Sequence, residues 1–230
     1  MREVVLDTET TGLSFMDGDK VAEIGCVEII DKKITGKTFH IYINPQREMS
    51  EEAFKISGLT YDFLGKFKPF KEIYMEFLNF ILDSRLIIHN APFDIGFLNH
   101  ELSLIGAAQI QSHRVLDTLQ MAKEKFPGSP STLDALCRRF SIDLTPRYKH
   151  GALIDAELLA NVYLHMSVEF LQKDIFNTGQ DTTEETNFFE RSVVKNLEPR
   201  HFFPSNEEHK LHSDLLKKIK NPIWEKFYDK

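Results

Sequence analysis

The order in which hydrophobic periodicity changes along the chain limits the folds open to it. Short β-branched and apolar runs come first. Val4–Leu6 reads as a buried strand, and Val21–Ile30 and Thr38–Ile43 as two more, with a turn at Asp31–Lys33. Helical spacing then takes over: Phe70, Ile73, Tyr74, Phe77, Leu78 and Ile81 recur on one face. Leu86–Ile88 is again a short buried strand, and helical spacing returns over Phe93–Ile105. Val115–Thr118 fits a short strand or a strand-to-helix turn. Ser50, and Ser131 or Thr132, stand where helix N-caps belong, and Ala152–Val168 is a long apolar-rich helix. A meander followed by alternating strands and helices predicts an α/β domain with a mixed sheet.

That domain is expected to span residues 1–170. Residues 177–187 are polar and acidic without an apolar period, so 171–187 is read as a linker. Residues 188–230 form a tail in which His209–Ile219 is a short amphipathic helix closed by Asn221-Pro222. Cys26 and Cys137 stand far apart with no CxxC, which excludes a disulfide framework or a cysteine zinc cluster. There is no apolar run of ~18 residues and no signal-peptide core near Met1, so a soluble, cytoplasmic chain without membrane partners is expected. The net charge of −7 argues against a basic coat for duplex DNA. It leaves room for an enzyme that grips a nucleic-acid end through metal ions.

Carboxylates mark the ends of the apolar runs. Asp7 and Glu9 sit at the end of the first strand, and alternation turns both to one face and Thr8 to the other. Two like charges on one face suit a cation site, although a solvated acidic turn is the blander reading. Asp94 falls in the first turn after His89-Asn90-Ala91-Pro92-Phe93, where it serves as a ligand or simply as a helix cap. Asp155 opens the last long helix within a mainly apolar stretch, and His150 lies just outside it. A carboxylate there is costly unless paired or metal-bound. Strand ends and helix starts in an α/β sheet converge on one crevice. Four carboxylates supply about the charge that two divalent ions need. Oxygen ligation selects Mg²⁺ or Mn²⁺, and two ions roughly 3.5–4 Å apart are a recurring device for cleaving phosphodiesters.

The blocks DTETTG, HNAPFDIGFLNHE and KHGALIDAELLANVYL, in this order and spacing, resemble the three motifs of the DnaQ-like DEDDh exonucleases. The likeness covers about residues 3–168. With FPGSPSTLDAL and TLDALCRRF it extends to the proofreading branch that serves bacterial DNA polymerase III. The resemblance implies a ribonuclease-H-like mixed five-stranded sheet flanked by helices, with a C-terminal tail appended. It implies 3′–5′ hydrolysis of a single-stranded DNA end to 5′-monophosphates, with two divalent cations. By position, Asp7, Glu9, Asp94 and Asp155 match the metal-binding acids and His150 the general base. Histidine suits that role because it ordinarily titrates near neutrality. Asp7, Glu9 and Asp155 would also face the terminal nucleotide, together with Thr10, Thr11, Gly12, Leu13, Ser57 and Phe93. Leu13 and Phe93 would wedge or stack on bases, a sequence-tolerant grip. Ser57 departs from the pattern, since close relatives often carry His there, and Pro92 stands where Ala is common.

The resemblance also implies partners. Family members tether to the polymerase catalytic (alpha) subunit through the tail. Here Phe202, Phe203, Leu215, Leu216, Ile219, Ile223 and Trp224 supply apolar contacts, either for that partner, for back-packing on the nuclease domain or for a small self-contained cap. Gln172–Phe176 resembles the short peptides that dock on bacterial sliding clamps, while Phe170, Leu171 and Ile175 equally suit the end of the domain core. Two rival functions share these residues: an RNA-trimming DEDDh enzyme, and a non-catalytic scaffold between polymerase and clamp.

Overall fold

A computed structural model describes residues 1–145, 150–176 and 205–219, with side chains to 167 in the long helix. The chain divides into two compact units, Met1–Asp181 and Thr182–Lys230. Residues Tyr148 and Lys149, most of the expected linker, and the tail on either side of 205–219 lie outside the described residues, as do the side chains of Gln172–Phe176.

The first unit is built on a five-stranded sheet in the order β3-β2-β1-β4-β5. The strands are β1 (Arg2–Thr10), β2 (Val21–Ile30), β3 (Lys33–Tyr42), β4 (Arg85–Ile88) and β5 (Val115–Asp117). β1, β2 and β3 form an antiparallel meander, and β4 and β5 add in parallel. This is the expected mixed α/β sheet. Asp31 and Lys32 both take positive φ in the two-residue turn between β2 and β3, which matches strand twist in a tight hairpin. β1 and β3 both run longer than their apolar cores, because the backbone ladder pairs polar residues as readily as apolar ones. Asp7 and Glu9 lie within β1, near its end, as expected.

Strand alternation splits the core. Val4, Leu6, Ile24, Cys26, Leu86 and Ile88 face α3 (Phe70–Ile81) and α4 (Ala91–Leu104), against Ile73, Phe77, Phe97 and Leu102. Val5, Val27, Ile29 and Ile87 face α6 (Leu133–Arg139) and α7 (Ala152–Phe176), against Leu136, Ala156, Leu159 and Tyr163. Each such large apolar side chain contributes roughly 1.5–3 kcal/mol by leaving water. Ser50 and Thr132 do cap α1 (Glu51–Ser57) and α6, accepting from the amides of Ala53 and Ala135. Two helices lack a clear apolar period and escape the sequence: α2 (Tyr61–Leu64), and α5 (Thr118–Lys125), which Asp117 caps. α7 continues to Phe176, so the backbone of the connection is helical over 171–176.

The second unit contains α8 (Asn206–Leu216). It starts three residues before the expected helix. Ser205 and Glu208 form a reciprocal capping box that satisfies the first amides.

Candidate active site

β1 presents Asp7 and Glu9 on the α7 side of the sheet and Thr8 on the α4 side. Across the ladder, Asp7 stands opposite Gly25 and Glu9 opposite Glu23. Gly25 fixes what approaches next. A Cβ there would come within 2.2 Å of the Ala152 carbonyl carbon and the Leu153 nitrogen. The first turn of α7 thus rests directly on β2, and only glycine permits it. This contact brings Asp155 to the sheet. Its amide donates to Gly151 O at 2.9 Å, and its carboxylate is 4% exposed at the helix N-terminus, where the dipole favours negative charge. His150, half-exposed, places Nδ1 3.1 Å from Asp155 Oδ2. One donor atom each from Glu9, His150 and Asp155 lie within 4.8 Å of one another, close enough to share an ion.

Asp94 reaches the same strand from the opposite face. Asn90 takes the left-handed conformation (φ 65°) to begin α4, and Asp117 Oδ1 holds its amide at 3.0 Å. Asp94 then falls in the first turn, 3% exposed. Its Oδ1 accepts from the Thr8 hydroxyl at 2.7 Å and the Thr8 amide at 3.0 Å. Burial pushes the Asp94 carboxyl up to about 7, and the bonds from Thr8 oppose this without cancelling it. Asp117 adds like-charge repulsion in the same upward direction. All four sequence-selected acids therefore converge on three consecutive residues of β1. Asp7 and Glu9 are two of them, Asp155 meets Glu9, and Asp94 is bonded to Thr8 between them.

The residues expected at the substrate are arranged differently from one another. Leu13 is 80% exposed at the rim. Phe93 is half-buried and packs on Phe97 with ring centroids 5.0 Å apart, so core packing claims much of it. Thr10 donates its hydroxyl to Gly12 O at 2.6 Å. Thr11 is fully buried, and its amide donates to Lys20 O while its hydroxyl donates to Asp19. Those bonds hold the loop and turn the Thr11 amide inward rather than toward a ligand. A Cβ at Gly12 would meet the Asp19 carboxylate within 2.6 Å, so Gly12 lets that loop close. Ser57 is buried and bonds the end of its own helix, donating to Ala53 O and accepting from the Leu59 amide. The sequence did not single out Glu23, which is 3% exposed and lies 2.6 Å from His40 Nε2. Its place opposite Glu9 follows from register, which only the folded sheet supplies. A cavity of about 490 Å³ adjoins His150, bounded by His89, Asn90, Thr132 and Leu133 among others.

The donor set fits hard divalent cations. Carboxylate oxygens dominate it, no thiolate joins it, and the carboxylates are crowded enough for a cation to relieve their repulsion.

Comparison with known proteins agrees with this geometry. The model of the exonuclease family matches residues 4–163. The chain belongs to the exonuclease family. This exonuclease is 45% identical over 228 residues to the DNA polymerase III subunit epsilon of Rickettsia felis, spanning 95% of this chain and 97% of the relative. It is 39% identical over 232 residues to the DNA polymerase III subunit epsilon of Escherichia coli strain K12, spanning 94% of each. Among solved structures, the nuclease domain of 3′hExo, a DEDDh family member bound to rAMP, superimposes with a TM-score of 0.62. That match covers 73% of this chain and 92% of that one at 16% identity, a likeness of fold. The family uses divalent metal, in keeping with the carboxylate–histidine group of this exonuclease. Among the described residues, no helix is long and apolar enough to cross a membrane.

Proposed function

We propose that this chain is the 3′–5′ proofreading subunit of a bacterial DNA polymerase III, acting in the cytoplasm on frayed 3′ ends and releasing 5′-monophosphates. The observation that carries the reading is the Glu9–His150–Asp155 group beside Asp7, at the end of a strand whose next residue face binds Asp94. Near-full-length similarity to two epsilon subunits supports the choice of DNA over other substrates.

Asp7, Glu9, Asp94 and Asp155 would hold two divalent cations, Mg²⁺ or Mn²⁺. Bound there, such ions activate water and neutralise charge on the leaving 3′-oxygen. The chain's own residues do the rest. Asp155 orients the His150 imidazole through Nδ1, and Nε2 takes the proton of the attacking water. The same proton then passes to solvent, which the exposure of His150 allows. Leu13, standing out from the rim, wedges against the terminal base, and Phe93 supports the next. Asp7, Glu9 and Asp155 would also stand nearest the terminal phosphate. No base code is needed, because a mispaired end frays and reaches a single-strand site more often.

The chain joins the polymerase catalytic (alpha) subunit through residues 188–230, with 1–170 as the nuclease domain and 171–187 as the connection. In α8, Leu211 and Leu215 are exposed four residues apart, with exposed Ile219 just beyond the helix end, an apolar stripe suited to a groove. Gln172–Phe176 is a second contact, to the sliding clamp. The test is Mg²⁺-dependent hydrolysis of a 3′-mismatched primer by wild type, His150→Ala and Asp155→Ala. Loss in both variants is expected, and wild-type rates in both refute the reading. Faster trimming of RNA ends than of DNA ends would transfer it to the exoribonuclease class. Unchanged capture of the alpha subunit after deletion of 188–230 would remove the tether.

A further inference from the structure

We infer that Thr8, the residue between the two acids of β1, is a positioning residue for the ligand carboxylate of Asp94. This rests on the reading of Asp94 as a cation ligand given above. Strand alternation turns Thr8 away from Asp7 and Glu9 and toward the start of α4. There it makes two bonds to one atom: its hydroxyl donates to Asp94 Oδ1 at 2.7 Å and its amide at 3.0 Å. Thr8 is 7% exposed and Asp94 3%, so water does not compete for either bond. Two donors on a single oxygen set both the distance and the rotation of the carboxylate, and assign the ligand role to Oδ2. With the amide alone, the carboxylate keeps one anchor and can turn about it. The DxE spacing thus carries three functions in three residues. The outer two supply ligands on one face, and the middle one aims a third ligand, 86 positions later in sequence, from the other.

Hydrogen bonds that orient metal ligands are commonly worth 10–100-fold in affinity or activity. Thr8→Val keeps the shape of the side chain and removes its donor, and Thr8→Ser restores the hydroxyl. Mn²⁺ titration of the full chain by calorimetry, without nucleic acid, measures the ligand set directly. The Mg²⁺ concentration for half-maximal primer hydrolysis measures it in turnover. Thr8→Val is expected to bind Mn²⁺ at least about 10-fold more weakly, with a matching rise in the Mg²⁺ requirement and little change in KM for the primer. Thr8→Ser should stay close to wild type. Asp94→Ala anchors the comparison. If Asp94→Ala loses Mn²⁺ while Thr8→Val binds as wild type does, Thr8 has no positioning role and this inference alone is overturned. If wild type and Asp94→Ala bind Mn²⁺ alike, the ligand reading of Asp94 fails, and this inference with it. If Thr8→Val does not fold in thermal scans, Thr8→Ala against Thr8→Ser makes the same comparison.

Discussion

Replacing Asp94 with Asn should change the pH dependence of stability in a direction opposite to ordinary acid denaturation. Burial raises the Asp94 carboxyl from its ordinary 3.8 to about 7. The folded state therefore holds this proton more tightly than the unfolded chain does. Its favourable contribution is present below about pH 4 and is lost as pH rises through about 7. Each pH unit in that window is worth ~1.36 kcal/mol, so ionised Asp94 costs the metal-free fold roughly 4 kcal/mol at pH 8. Asparagine keeps an Oδ1 that accepts from both Thr8 donors and carries no charge. Its amide must be accommodated near Asp117, at a pH-independent cost of about 1–3 kcal/mol. Urea unfolding in EDTA, followed by circular dichroism, gives the difference between variant and wild type at each pH. Groups that do not interact with Asp94 cancel in that difference, whereas Asp117, which repels it, adds a smaller change of its own. Relative to wild type, Asp94→Asn should gain roughly 3–4 kcal/mol between pH 4 and pH 8, and Mn²⁺ should shrink the gain by stabilising wild type more than the variant. A difference that stays flat with pH would show that Asp94 is not held against ionisation.

Gly25→Ala would drive a methyl group into the backbone of Ala152 and Leu153. Expected are a stability loss on the order of 2–4 kcal/mol and a collapse of primer hydrolysis, since Asp155 moves with α7; full activity would disprove that contact. Asp117→Ala removes the cap of α5 and the acceptor that holds the Asn90 amide. It should cost about 1–2 kcal/mol in denaturant titration and slow the nuclease through the start of α4. Tyr163→Phe provides the contrast. The Tyr163 hydroxyl donates to buried Glu3 at 2.6 Å and accepts from Lys32. Losing it should cost about 1–3 kcal/mol yet leave hydrolysis rates per folded molecule unchanged, because Glu3 lies toward the far end of β1 from Asp7. A drop in kcat there would mean that strain travels along the strand.

Local rules account for much of the site. The apolar run Val4–Leu6 announces β1, and period-two alternation alone puts Asp7 and Glu9 together and Thr8 apart. Ser50 and Thr132 cap helices where the sequence places them, because a short side-chain acceptor satisfies amides only two or three residues away. The hairpin at Asp31-Lys32 and the opening of α7 beside His150 are equally short-range. Weakly periodic segments hid their structure: α5 follows from its Asp117 cap and its packing rather than from an apolar stripe. α8 begins at a capping box that the count of apolar positions overlooked.

Long-range placement had a different origin. That Asp94 binds through Thr8, that Glu23 stands across from Glu9, and that α7 can touch β2 at all depend on register, on strand order and on the missing Cβ of Gly25. Each joins residues far apart in sequence, whose approach is set by how two packed faces share one sheet rather than by neighbours along the chain. Residue types and their spacing specified the chemistry on offer. Packing specified which carboxylate meets which, how deeply each is buried, and hence that Asp94 ionises only near pH 7 while Asp155 meets His150 at the edge of solvent.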